Sequence, residues 1–144
     1  MSQSVLLLDG GLGQELIRRS PSAAHHHWSL QVMLEQPNLV ADVHRDFCEA
    51  GASIACLNTY AITHARLARG NNLPSLAELL NLARELAQQG ADSNGHSDTA
   101  MIASLPPLVA SYRPDTQLPL KQAVAEYQEL IDLQKGAVDG FLAE

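Results

Sequence analysis

Four short apolar runs recur along the chain, at residues 5–8, 53–57, 100–105 and 138–143. The apolar residues in each run are continuous and do not alternate with polar ones. Continuous runs of this length are typical of strands that are covered on both faces within a parallel sheet. We therefore predict four parallel strands at Val5–Leu8, Ser53–Leu57, Ala100–Leu105 and Val138–Ala143.

Helical stretches with recognisable start and stop signals separate these runs. Ser75 and Glu78 have the spacing of a capping box at a helix amino terminus. Asn and Pro residues suit other helix starts, and Gly suits helix ends. On these signals the predicted helices extend from Asn38 to Gly51, from Ser75 to Gly90, and from Pro119 to Gly136.

Strands that alternate with helices place the chain in the α/β class. The architecture is then either a small open parallel sheet or part of a (βα)8 barrel of the TIM type. A complete barrel takes about 250 residues, so four strands in 144 residues correspond to about its first four βα units, a half-barrel. The chain stops at Glu144, directly at the carboxyl end of the fourth strand. A half-barrel has open sheet edges, through which we expect a homo-oligomer to form.

The charge balance narrows the choice of partners. The net charge is -7, with nine Lys and Arg against sixteen Asp and Glu, which argues against nucleic acid and anionic membranes. The sequence has no basic amino-terminal region followed by an apolar segment, and no run of about 20 apolar residues. We therefore expect a soluble cytoplasmic protein. Cys48 and Cys56 form no disulfide framework and are predicted to be buried reduced thiols.

The stretch LLLDGGLGQEL, residues 6–16, raises the question of a phosphate-binding loop. Its third glycine is missing, because position 16 is leucine, and no Gly-Lys-Ser/Thr follows. The remaining interpretation is a ligand site. Asp9 stands at the carboxyl end of the first strand, and Gly10 and Gly11 allow a ligand to lie close to the backbone. A competing interpretation is a tight turn in which Asp9 caps a helix that begins near Gly13.

Polar residues stand at the same end of the other predicted strands. Asn58 and Thr59 follow the second strand, and Glu144 ends the fourth. Together with Asp9 they offer two carboxylates, an amide and a hydroxyl, a set that suits a small zwitterion with an ammonium group. The alternative is that they are merely polar loop residues.

The histidines indicate no metal site by their spacing. His25–His27 are adjacent, so their side chains diverge, and a solvated loop is the prediction. His44 and Cys48 share one helix face, but two ligands do not make a site. We interpret both as packing residues.

Four segments taken in order resemble the homocysteine S-methyltransferase family. These are LLLDGGLGQELIRR, WSLQVMLEQPNLVADVHRDFCEAGASIACLNTY, IASLPPLVASYRPD and VDGFLAE. The resemblance covers almost the whole chain but only the amino-terminal half of the family's domain. It implies that residues 1–144 are one domain, the first half of a (βα)8 barrel.

The resemblance also implies a chemistry. The family moves a methyl group from a sulfonium donor, such as S-methylmethionine or S-adenosylmethionine, to the thiol of homocysteine, giving methionine. By resemblance, Asp9, Gly10 and Gly11 match the family's Asp-Gly-Gly floor, and Thr59 lies in its second-strand motif. Glu144 matches an acid that would orient the substrate's ammonium group.

The family's zinc ion is held by cysteines late in its sequence. These cysteines have no counterpart in this chain, and neither Cys48 nor Cys56 stands at a ligand position. The resemblance thus implies zinc as a cofactor while this chain lacks its cysteine ligands. An alternative hypothesis is a non-catalytic half-barrel that self-associates or binds a small molecule. A third is a complete small α/β domain with an unrelated ligand.

Overall fold

The computed structural model describes residues 5–21, 27–93 and 95–144. Its helices and parallel strands alternate from the first strand onwards, which confirms the α/β class. No helix in the described ranges is long and apolar enough to cross a membrane. The elements in chain order are α1 (Leu12–Arg19), α2 (Ser29–Glu35), α3 (Pro37–Glu49), β1 (Ile54–Cys56), α4 (His64–Leu67), α5 (Leu76–Asp92), β2 (Ala100–Leu105), α6 (Leu120–Gln134) and β3 (Gly140–Ala143).

The strands form one parallel sheet in the order β1-β2-β3. Ile54 lies opposite Ala100, and Ile102 lies opposite Gly140. Before α1 the chain runs along the free side of β1, where Leu8 forms an isolated parallel bridge with Ile54. Spatial order therefore follows chain order, as expected when each strand is joined to its neighbour by helices.

The prediction for the first strand was wrong in its extent and in its burial. Of Val5–Leu8 only Leu8 forms a bridge, and Val5 is 90% exposed while Leu8 is 43% exposed. This segment has a neighbour on one side only, so its apolar side chains lack the cover that the continuous pattern implies. The described sheet thus has three strands instead of four, and the barrel itself stays a prediction.

The capping box of α5 is confirmed. The Ser75 hydroxyl accepts a hydrogen bond from the Glu78 amide, and the Glu78 carboxylate accepts from the Ser75 amide. The prediction that Gly90 ends this helix was wrong, because α5 continues to Asp92. A Cβ at Gly90 would lie 2.4 Å from the carbonyl oxygen of Ala41. Gly90 is therefore required for close packing of α5 against α3.

The start of α3 also differs from the prediction. The helix begins at Pro37, one residue before Asn38, and no side chain in the described part of the chain caps it. Proline suits this first position because its φ is fixed near the helical value. Its missing N–H group would have had no partner within the helix at this position. Its predicted end is confirmed, since Gly51 has φ +104 directly after the terminal turn.

The core has two parts. The larger part lies among α1, α2, α3 and α5, and the smaller part lies between the sheet and the helices α3 and α5. His44 is 0% exposed and Cys48 is 2% exposed, which confirms their interpretation as packing residues. This packing holds the carboxyl ends of the strands on one side, where they border an open cavity.

Candidate active site

A cavity of about 820 Å³ lies at the carboxyl ends of the strands. Five of the six predicted site residues line it, namely Asp9, Gly10, Gly11, Asn58 and Glu144. The sixth, Thr59, does not. The polar and aromatic residues that complete the wall are Gln14, Trp28, Ser29, Cys56, Tyr60, Ser104, Ser111 and Tyr112.

Asp9 is anchored to β1 through its backbone and its side chain. Its amide donates to the carbonyl of Ile54 at 3.0 Å, and its Oδ2 accepts from the Cys56 amide at 2.9 Å. None of the described side chains caps α1, whose N-cap residue is Gly11, so the interpretation of Asp9 as a helix cap was wrong. The other oxygen, Oδ1, is buried without a partner among the described residues. Burial raises the pKa of Asp9, and the hydrogen bonds from Cys56 only partly offset this effect.

The three glycines beside Asp9 have different reasons to be glycine. A Cβ at Gly10 would lie 2.8 Å from Cε1 of Phe47, and one at Gly13 would lie 2.5 Å from Cη2 of Trp28. At Gly11 a Cβ would meet only the Gln14 Cβ, at 3.9 Å. Gly10 and Gly13 therefore make room for aromatic rings of the protein itself, and only Gly11 leaves open space.

The side chains of Asn58 and Thr59 form hydrogen bonds with the backbone of neighbouring elements. The Asn58 side-chain amide donates to the carbonyl of Ser29 at 3.1 Å. The Thr59 hydroxyl accepts from the Ser104 amide at 2.9 Å, joining the end of β1 to β2. Both residues are almost fully buried. Thr59 thus fixes the shape of the cavity without lining it, and Asn58 fixes the start of α2.

Glu144 lies at the exposed rim, directly after β3. Its amide donates to the carbonyl of Leu105 at 3.2 Å, which continues the strand pairing. Both Asp9 and Glu144 act on the thiol of Cys56. Burial, then the hydrogen bond and charge of Asp9, then the charge of Glu144 raise the pKa of Cys56. Cys56 is half-buried, so the prediction of a buried thiol was wrong for this residue.

An aromatic pair forms another part of the wall. The rings of Trp28 and Tyr60 meet edge to face, with 6.0 Å between their centroids. The Tyr60 hydroxyl lies 2.6 Å from the Ser111 hydroxyl, and the Arg66 guanidinium lies 4.9 Å from the centre of the Tyr60 ring. Trp28 has φ +48, a conformation that side-chain-bearing residues rarely adopt. Such strain is concentrated at functional sites.

The sequence analysis did not select Trp28, Ser29 or Tyr60. Trp28 is the single tryptophan of the chain, and Tyr60 directly follows Thr59. These two facts were the available signals, because no residue pattern shows that the start of α2 borders the strand ends.

The described residues do not fit a zinc ion. They contain no group of three His, Cys, Asp or Glu side chains arranged to hold a metal. His27 is 4% exposed, so the predicted solvated loop was wrong for this histidine. His25 and His26 lie outside the described residues.

Known proteins share both the sequence and the fold. Homocysteine S-methyltransferase of Escherichia coli K12 is 34% identical over 106 residues, covering 70% of this chain and 34% of that protein. Selenocysteine Se-methyltransferase of Brassica oleracea var. italica is 34% identical over 82 residues, covering 56% of this chain and 24% of that protein. The crystal structure of the metallated homocysteine methyltransferase MmuM from E. coli superposes with a TM-score of 0.81 at 28% identity.

That superposition covers 99% of this chain and 54% of the MmuM chain. The chain therefore spans about half of the solved relative and about a third of the E. coli protein matched in sequence. The family model for homocysteine S-methyltransferase matches residues 6–144. Since this match takes in nearly every residue, the chain belongs to the homocysteine S-methyltransferase family.

Proposed function

We propose that this chain forms the amino-acid-binding part of a homocysteine S-methyltransferase. The observation that carries the proposal is the buried Oδ1 of Asp9, which has no partner among the described residues and belongs to a residue that lines the cavity at the strand ends. A buried acceptor without a donor costs about 1–3 kcal/mol, so a ligand that supplies a donor binds favourably. The relatives named above act on homocysteine and selenocysteine, both amino acids with an ammonium group.

Asp9 suits the ammonium group of homocysteine by its position and by its chemistry. The Cys56 amide holds Oδ2, which leaves Oδ1 to accept from the ligand. An ammonium ion beside it favours the ionised carboxylate, which reverses the effect of burial on its pKa. Glu144 at the rim of the same cavity adds a second negative charge. These two residues, with Gly10, Gly11 and Asn58 in the wall, are the proposed substrate-binding residues.

The aromatic pair suits a sulfonium donor such as S-methylmethionine or S-adenosylmethionine. A cation over the face of a Trp or Tyr ring is stabilised by about 0.5–2 kcal/mol. In the transfer, the homocysteine sulfur forms a bond to the methyl carbon as the donor's bond to that carbon breaks. The donor leaves as a neutral thioether, and the thiol proton is released. Trp28 would hold the donor until that charge disappears, with Tyr60 packed against its ring and already paired with the Arg66 guanidinium.

The test is calorimetric titration of the protein with L-homocysteine, followed by an assay for methionine formation with each sulfonium donor. We expect Asp9→Asn to weaken L-homocysteine binding about tenfold to hundredfold, since a charge-assisted hydrogen bond contributes about 1.5–3 kcal/mol. Glu129→Gln is the matched control, because Glu129 is an exposed carboxylate on α6 that pairs with His64. Equal affinity of wild type and Asp9→Asn, or no binding by the wild type, would refute the proposal.

A further inference from the structure

Exposed apolar side chains are concentrated at the two ends of the sheet. Among the described residues, eight large apolar side chains are exposed, and seven of them lie at these ends. Four belong to the segment Val5–Leu8 along the free side of β1, which we call the first end. The second end consists of β3 and of α6, which connects β2 to β3, and its exposed apolar residues are Leu120, Val124 and Leu133. Apolar surface gathered in this way marks an interaction site.

Both ends also carry backbone groups with which another strand can pair. The Leu7 carbonyl and the Asp9 amide bond to β1, so the backbone groups of Leu8 between them point away from the sheet. β3 pairs with β2 on one side and has no strand on its other side in the described ranges. Proteins usually protect such edges with charged residues or proline. Neither Val5–Leu8 nor Gly140–Ala143 contains one.

We propose that two copies of this chain associate, with the first end of each copy docked on the second end of the other. All strands of the sheet are parallel, so the first end of one copy can continue the sheet beyond β3 of the other in the same direction. A (βα)8 barrel closes with eight strands. The chain superposes on 54% of the solved relative MmuM, so two copies supply about as much chain as that relative. Two identical junctions between unlike ends close the pair and leave no edge open.

The proposed pairing also brings residues of a second copy to the cavity. Asp9 directly follows the first end, and Glu144 directly follows β3. Neighbouring parallel strands place their carboxyl ends at one edge, so each junction would bring Glu144 close to Asp9 of the partner subunit. Both residues line the cavity of their own copy. The two cavities would therefore open at one common mouth, whichever ligand they bind.

A charge placed at either end should prevent the association. Leu6 is 68% exposed and Val124 is 58% exposed, so a charged side chain at either position does not disturb the fold of one copy. In the pair it would be buried against apolar groups without a partner, which should weaken association about a hundredfold or more. We therefore expect Leu6→Lys and Val124→Glu each to be monomeric.

Sedimentation equilibrium over a wide range of concentrations tests the proposal, with circular dichroism of each variant as the check on its fold. We expect wild type to reach about 31 kDa, twice the 15.5 kDa of one chain, and no more. An equimolar mixture of Leu6→Lys and Val124→Glu should regain this mass, because one junction is then free of charges and the other carries opposite charges. Gln89→Lys is the matched control, since Gln89 is exposed on α5 outside both ends and its replacement should leave the mass unchanged.

Three results would overturn the proposal. A wild type that stays at 15.5 kDa would show that the ends remain open or take a different partner. A mass that keeps growing with concentration would show an open chain of copies instead of a closed pair. Loss of association in only one of the two variants would show contact between like ends. Titration with L-homocysteine is a separate measurement, so the proposed function and this pairing can fail independently.

Discussion

Acid should destabilise this protein through one buried histidine. His44 lies on α3 with 0% exposure, and neither ring nitrogen has a partner in the described part of the chain. Burial lowers the pKa of His44 from 6.5 to about 4. The folded state therefore keeps His44 neutral at a pH where the unfolded chain has already bound a proton.

The sign and the magnitude follow from proton linkage. Below pH 6.5 the unfolded state binds more protons than the folded state, so stability falls as the pH falls. At about 1.4 kcal/mol per pKa unit, the loss is roughly 2 kcal/mol at pH 5 and roughly 3 kcal/mol at pH 4. A domain with a total stability of about 5–15 kcal/mol shows such a loss clearly.

Urea unfolding at pH 8, 6.5 and 5 measures the effect. His44→Leu removes the titrating group, so the stability of this variant should change by about 2 kcal/mol less than that of wild type between pH 8 and pH 5. Other groups, including Asp9 with its raised pKa, are common to both proteins and cancel in the difference. Equal pH dependence in wild type and His44→Leu would refute the reasoning.

Two further predictions concern the floor of the cavity. Gly13→Ala should cost about 1–3 kcal/mol of stability and shift the fluorescence of Trp28, because the new Cβ overlaps the ring; Gly11→Ala has room and should do neither. Asp9→Asn should speed the alkylation of Cys56 by iodoacetamide at pH 9, measured by peptide mapping, because the Asp9 carboxylate contributes to the raised pKa of that thiol. An unshifted emission spectrum in Gly13→Ala or an unchanged alkylation rate in Asp9→Asn would count against these interpretations.

Local signals in the sequence predicted local structure well. The capping box at Ser75 and the glycine after α3 depend only on neighbouring residues, and both are confirmed. Gly90 was misinterpreted as a helix end because a distant partner, the Ala41 carbonyl, explains it, and a distant group, the Phe47 ring, likewise lies against Gly10. A sequence shows that a side chain is missing, but not which group would occupy its place.

The same distinction applies to the candidate site. Asp9 and Glu144 could be predicted because parallel strands bring their carboxyl ends to one edge, and the structure places both at the cavity. Thr59 also follows a strand end, but its hydroxyl accepts a hydrogen bond from the Ser104 amide and does not line the cavity. Ser29 could not be predicted in this way, since it stands on α2 and is brought to the strand ends by the tertiary hydrogen bond from Asn58.

The hydrogen bonds that join the strands and the segments beside them have a consequence for how the protein folds. They join positions far apart in sequence, with 46 residues separating Leu7 from Ser53 and 45 separating Thr59 from Ser104. Closing such long loops costs entropy before any contact repays it, so we expect the helices to form first and the sheet to assemble late. The cavity is bordered by the carboxyl ends of the strands, so it cannot form before the sheet has assembled. Ligand binding should therefore be among the last properties to appear during refolding, after most helical structure has returned.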